Sequence, residues 1–350
     1  MRTRRVPGTG LLVTAVMLLV AGCSAGGSAA GTPGLEKPDL TVAVVPAVDS
    51  AGFFVALEEG LFKAQGLNVT FEPAISSATV IDQQAAGKID ITGGNYVSYI
   101  QAQSNWDAGM RPGPSSPGVL AANLDIVAEG SRLQPGVLGL YTMPGSPIST
   151  LAQLGGRTVG NNALKNLSYM LAASVLAEHG VSPGDVRFVA AKGGFPEMPA
   201  ELKAGAFNAV VLNEPFGSVA EQADGAVPLA DFDQGATANF PVEGYVVTKQ
   251  WAQKYPRTLA AFYRALEQGQ QIADVNRGAV EAAFESLPSP LGLPKVTAAI
   301  MSLESYPVST GPVGSVDTVQ LKRVVDVMQQ FIGFGRAFNI DSMLMGDRSG

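Results

Sequence analysis

Three carboxylates, four carboxamides and a phenol stand where short apolar runs of this chain begin or end. Asp49 follows "LTVAVVPAV", and Asn95 and Tyr96 lie in "GGNY" after "KIDIT". Asn161 and Asn162 follow "GRTVG", Asn213 and Glu214 open "NEPF" after "AVVL", and Glu243 precedes "GYVVT". Carboxylates accept hydrogen bonds from amines, amides both donate and accept, and a phenol ring can stack. Together they suit recognition of a small molecule better than bond making. His179 and Cys23 are the only residues of their kinds, so neither a Ser-His-Asp triad nor a Cys/His metal site can be assembled. The glycine clusters lack the GxxxxGK[ST] phosphate loop and a dinucleotide fingerprint, and no cofactor is expected. Catalysis by paired carboxylates is the one enzymatic chemistry the composition leaves open.

Each candidate also has a plain structural alternative. Asp49 and Ser50 could cap the helix that starts after them, and Phe53 and Phe54 could be its first core residues. Gly94 allows close backbone approach to a ligand, or simply a tight turn with Asn95 as a cap and Tyr96 in the core. In "GNNALKNLSY", Asn166 or Ser168 could be an N-cap; equally, the free N–H groups of that helix start could attract an anion. His179 precedes Gly180 at a helix exit, where a histidine complements the dipole.

The elements that must position these residues read as β/α units. Residues 40–45 form a Val-rich strand, residues 53–64 carry helical spacing ending at Gly66, and "LNVTFEP" alternates as the next strand. A helix over 78–86 leads to "KIDIT"; a Gly/Pro/Ser-rich loop at 104–119 precedes "LDIVAEG". A second series follows through "RTVG", "LSYMLAASVLAEHG", "DVRFVAA" and "AFNAVVLNEPF". The order implies an α/β fold of two lobes, each a mostly parallel sheet flanked by helices, with two crossing segments and a helical C-terminal part. "VLGLYTMPG" and "GYVVT" read as the crossings, giving lobe 1 at 39–140, lobe 2 at 141–243, and a return with C-terminal helices at 244–350. A Pro/Gly/Ser-rich interruption falls at 306–315.

The N-terminus has its own logic. Arg2, Arg4 and Arg5, an uncharged run from Leu11 to Val20, and Val20-Ala21-Gly22 before Cys23 match an export signal ending in a lipoprotein cleavage box. The expectation is a signal peptide at 1–22, a lipid-modified Cys23, and a flexible tether at 23–38 that holds the body on the extracytoplasmic face of the membrane. The net charge of −7 argues against nucleic acid as a partner, and 46 % apolar with 15 % charged residues describes a well-packed body.

Five ordered segments carry a family resemblance: "VALEEGLFKAQGLNV" (55–69), "AGKIDI" running into the glycine loop (86–95), "LAQLGGRTVG" (151–160), "HGVSPGDV" (179–186) and "ELKAGAFNAVVLNEP" (201–215). In these the chain resembles the type 2 periplasmic binding proteins of ABC importers, in the branch for nitrate, sulfonates, taurine and thiamine precursors. It departs from them in the long 104–119 loop and in Asn208, where Asp is common. The resemblance implies a monomeric solute receptor without catalysis, partnered by an ABC permease and its ATPase. It implies a ligand held between the lobes by Asp49, Ser50, Phe53, Gly94, Asn95, Tyr96, Asn161, Asn162, Ser168, Asn213, Glu214 and Glu243. Among these loops only Lys165 is basic, which favours a nitrogen-containing or aromatic ligand over a nitrate- or sulfonate-type anion. Pyrimidine synthases and menaquinone-pathway dehydratases resemble the same fold, but the export signal, and the absence from this chain of the His and Cys residues that the synthases need, weigh against an enzyme. A sensor lipoprotein that has kept the fold is the other alternative.

Overall fold

The computed structural model describes residues 34–74, 77–112, 119–287, 316–334 and 337–345. The expected signal peptide, Cys23, the interruption at 306–315 and the centre of the 104–119 loop lie outside the described residues. Contacts divide the chain into Met1–Gly34 and Leu35–Gly350, and the second unit carries both sheets and the helices around them.

Two five-stranded sheets carry the architecture. The first has the order β2-β1-β3-β10-β4, from β1 (Asp39–Val44), β2 (Asn68–Pro73), β3 (Ile91–Asn95), β4 (Leu124–Arg132) and β10 (Pro241–Thr248). The second has the order β7-β6-β8-β5-β9, from β5 (Leu138–Thr142), β6 (Thr158–Asn161), β7 (Arg187–Ala190), β8 (Ala209–Asn213) and β9 (Val227–Asp231). In each, three parallel strands are extended by an antiparallel one: β10 between β3 and β4, β5 between β8 and β9. The apolar runs read as crossings are therefore sheet members. β5 belongs wholly to the second sheet and β10 to the first, so the chain changes lobe at 133–137 and at 232–240. A fully buried strand and a crossing segment both read as a short apolar run, which is why the sequence does not separate them.

Helices cover both faces of the first sheet. On one side α1 (Ala51–Glu58) packs against α9 (Pro256–Val275) and α10 (Arg277–Glu285). Phe53, Phe54, Phe62, Phe262 and Phe284 fill this core. Two glycines set the distance: a Cβ on Gly269 would lie 2.3 Å from the Gly52 carbonyl oxygen, and one on Gly52 would lie 2.5 Å from Gln270 Cγ. Only bare backbone fits there. On the other side α4 (Tyr96–Asp107) meets a C-terminal helix, α11 (Thr318–Phe331). That helix also touches α5 (Leu167–Glu178) of the second lobe, and one apolar cluster runs through all three helices.

The end of the expected tether is anchored rather than loose. Glu36 accepts hydrogen bonds from the Arg257 and Thr258 backbone N–H groups at the start of α9, and Lys37 pairs with Asp90. A carboxylate at a helix N-terminus satisfies donors that have no partner within the helix. Among the described residues no helix is long and apolar enough to cross a membrane.

Candidate functional site

All the parallel strands of a sheet end on one side, and the antiparallel β10 and β5 begin there. In register, Glu243 of β10 lies opposite Asn95 of β3, and Leu138 of β5 lies opposite Asn213 of β8. These edges face each other across a cavity of about 50 Å³. The first lobe lines it with Val45, Asp49, Ser77, Gly94, Asn95 and Glu243. The second lobe brings Leu138, Asn162, Asn166, Ser168, Phe195 and Asn213. Leu133, Val137 and Val242, from the connections and the start of β10, close its floor with Leu167.

A hydrogen bond crosses directly between the lobes at this cavity: Asn213 Nδ2 donates to Asp49 Oδ2 at 2.9 Å. Ser50, at the N-cap position of α1, makes no side-chain cap bond. Ser50 Oγ instead donates to Glu243, with Oε1 at 3.0 Å and Oε2 at 2.8 Å. Glu243 is 2 % exposed. Burial is the main cause that raises its pKa to about 8; the Asp49 charge adds to this, and the Ser50 and Tyr245 hydroxyls oppose it. Glu243 is thus pushed towards its protonated form at neutral pH.

The amides are organised by helix starts. Asn95 caps α4, accepting from Ser98 N at 2.9 Å, and its Nδ2 donates to Ser77 Oγ at 3.1 Å. Asn166 caps α5, accepting from Tyr169 N at 3.1 Å. Asn162 Oδ1 accepts from Asn166 Nδ2 at 2.9 Å and from Ser168 Oγ at 2.6 Å. The alternatives of cap and cavity residue are thus not exclusive: Asn95 and Asn166 are both. Asn213 Oδ1 is buried without a hydrogen-bond partner. Among the described residues that line the cavity there is no Lys or Arg, and Lys165 is exposed.

Several expected residues are not brought to the cavity. Phe53 is wholly buried in the aromatic core, 5.4 Å from Phe54 and 5.5 Å from Phe62 between ring centroids. Tyr96 is buried against β10: a Cβ on Gly244 would lie 2.4 Å from its ring. Its hydroxyl has no partner, and burial, with Glu129 and Glu243 nearby, raises its pKa well above the usual value. Asn161 is fully buried, and neither atom of its amide is hydrogen-bonded. Glu214 accepts from Ser218 N in the first turn of α7 (Phe216–Asp224) and lines a separate depression with Tyr141 and Asp231. Ser50 stands behind Glu243, away from the lining. Gly94 does line the cavity, but the space over it is filled by Ser77 Oγ, 2.0 Å from where a Cβ would be. Asn208, the departure from the common Asp, accepts from Thr158 N at 3.0 Å and ties β8 to β6.

Ser77 and Phe195 line the cavity although the sequence did not single them out. Both follow a strand, β2 and β7 respectively, so the same strand-end rule would have found them. His179 ends α5, its Nδ1 2.9 Å from the Val175 carbonyl. No group of three or more His, Cys, Asp or Glu that could hold a metal occurs among the described residues.

Comparison with known proteins agrees with this architecture. The alkanesulfonate-binding protein SsuA from Xanthomonas axonopodis pv. citri, solved bound to MOPS, superposes with a TM-score of 0.71 at 16 % identity, over 89 % of this chain and 99 % of that one. The periplasmic nitrate-binding protein NrtA from Synechocystis PCC 6803 gives 0.69 at 14 % identity, over 89 % and 85 %. A curated relative, the bicarbonate transport ATP-binding protein CmpC of Synechocystis sp., is 28 % identical over 241 residues, 67 % of this chain but only 35 % of that protein. Likeness at these identities establishes the two-lobed periplasmic-binding-protein fold. A family model described as NMT1/THI5 like matches residues 47–276, which hold every strand but β1 and every expected ligand residue, and the chain belongs to that family.

Proposed function

We propose that this protein is an extracytoplasmic solute receptor, anchored by a lipid on Cys23, that delivers a small nitrogen-bearing ligand to an ABC permease and its ATPase. The observation that carries it is the cavity between facing strand ends, with Asp49 and Asn213 bonded across it. A solute that touches both lobes favours the closed arrangement by its differential affinity. The polar side chains that line it are mostly acids and amides, Asp49, Asn213 and Glu243 among them, and Asn213 Oδ1 is buried without a hydrogen-bond partner. An N–H-rich or cationic group answers acids and amide oxygens where no Lys or Arg stands among the described lining residues.

One observation favours the anion reading: α4 and α5 both start at the cavity, and helix N-termini attract negative charge. One end donor of each is already taken, however, by Asn95 and Asn166, and the acids Asp49 and Glu243 line the same cavity. A thermal-shift screen of the purified protein against amines, pyrimidines, nitrate and sulfonates tests the choice. Stabilisation by amines or pyrimidines is expected; stabilisation by nitrate or sulfonates alone would overturn it. For the anchor, Cys23→Ser should abolish acyl labelling in cells, and normal labelling would sink that part.

A further inference from the structure

The polar cavity is not alone between the lobes. A second recess of about 230 Å³ shares the lining residues Val45 and Phe195 with it, so the two adjoin. Its first-lobe wall is Val45, Pro46 and Ala47 with Pro73 and Ala74; its second-lobe wall is Phe195, Pro196 and Phe216 beside Gly193. Among these described residues none has a polar side chain, and three are prolines, which lack a backbone donor. The Phe195 and Phe216 rings are nearly parallel, at 11° with centroids 6.2 Å apart. That spacing is too small to sandwich a third ring, which needs about 7 Å between the outer planes. What the stacked pair offers is an aromatic, apolar wall, faced by prolines from the other lobe.

The polar cavity, about 50 Å³ against 230 Å³, has room for a head group and little else. We propose that the ligand has two parts: a compact donor-bearing head at Asp49, Asn213 and Glu243, and a flat aryl or heteroaryl ring laid against Phe195 and Phe216. The head chemistry rests on the proposed receptor function; the ring rests on the recess alone. Because the recess draws on both lobes, the ring also adds to the contacts that hold the lobes together. Specificity then divides, with the inner residues reading hydrogen-bond donors and the outer ones reading size and flatness.

Titration calorimetry with four probes separates the two parts: methylammonium, benzylamine, methanesulfonate and benzylsulfonate. Benzylamine should bind at least about tenfold more tightly than methylammonium, the scale of burying most of one face of a ring. Phe216→Ala should remove that ratio and leave methylammonium binding unchanged. Ala47→Leu, which fills the recess from the opposite wall, should do the same, with melting temperatures measured without probe as the folding control. A ratio near one, or equal losses for both amines in the variants, overturns the ring while leaving the head reading intact. If only the sulfonates bind and benzylsulfonate shows the Phe216-dependent gain, the ring stands and the amine head falls. Binding of none of the four overturns both.

Discussion

The first lobe meets the cavity with two acids, Asp49 and Glu243, beside Asn95 and Ser77, and the second brings no acid but the amides Asn162, Asn166 and Asn213. Both walls are made of strand ends, yet they differ in what they can adjust. The amides have fixed charge and are locked by caps and by one another, so the second lobe supplies geometry. On the acid wall Glu243 is held near its titration point by burial and by Asp49, while Ser50, Tyr245 and the buried phenols Tyr96 and Tyr99 surround it. The first lobe can therefore change its charge when a ligand arrives. The difference teaches that sheet position alone does not assign a role; burial of the side chain does.

The contrast between the walls is broken most directly at Glu243. Glu243→Ala should weaken a cationic ligand by about 3–5 kcal/mol, the range for removing one partner of a buried charge pair. Calorimetry showing equal affinity, or tighter binding of an anion, would mean the acid wall does not read charge.

A smaller effect sharpens it without any ligand. Glu243 has a folded pKa of about 8 against an ordinary 4.5, so the folded state holds the extra proton between those values. Its contribution is fully present below pH 4.5 and is lost as pH rises towards 8. Relative to Glu243→Gln, the wild type should lose about 2–3 kcal/mol of stability from pH 5 to pH 7, at about 1.4 kcal/mol per pH unit. Parallel urea-melt curves for the two proteins would refute the shift. In the same window a cationic ligand should bind more tightly as pH rises and should displace a proton, visible as a buffer-dependent binding enthalpy.

The contact between the walls comes next. A double-mutant cycle of Asp49→Ala and Asn213→Ala, read in ligand affinity, should give a coupling of about 1.5 kcal/mol, as for a hydrogen bond to a charged group. Additive losses would show that the bond does not form in the bound protein. The amide wall should be least sensitive. Ser168→Ala removes one bond to Asn162 in a well-supported set, and a loss of about 0.5–1 kcal/mol in affinity is expected. A loss as large as that of Glu243→Ala would reverse the assignment of roles.

Much of this is legible in the residues alone. The alternation of apolar runs and helical spacing implies two α/β lobes, and the strand-end rule brings Asp49, Asn95, Asn162, Asn213 and Glu243 to one place. What escapes is direction. Asn213 faces the cavity and Glu214, one residue on, caps α7; Asn95 lines it and Tyr96 turns into the core; Asn162 lines it and Asn161 does not. Neighbouring residues at a strand end point opposite ways, and only the path of the following turn decides which faces in. The strand runs at β5 and β10 likewise read as crossings, because burial on both faces erases the alternation that marks a sheet strand. Ser77 and Phe195 needed only the same rule applied to every strand.

The C-terminal helix α11 touches α4 in one lobe and α5 in the other, and the apolar cluster through it joins the second lobe to one face of the first sheet. Two lobes that share a core cannot melt one after the other. Heating should give a single cooperative transition, with calorimetric and van't Hoff enthalpies in agreement. A solute held at the cleft would then protect amides from exchange far from it, through the whole of both sheets, because losing either lobe means losing the joint between them.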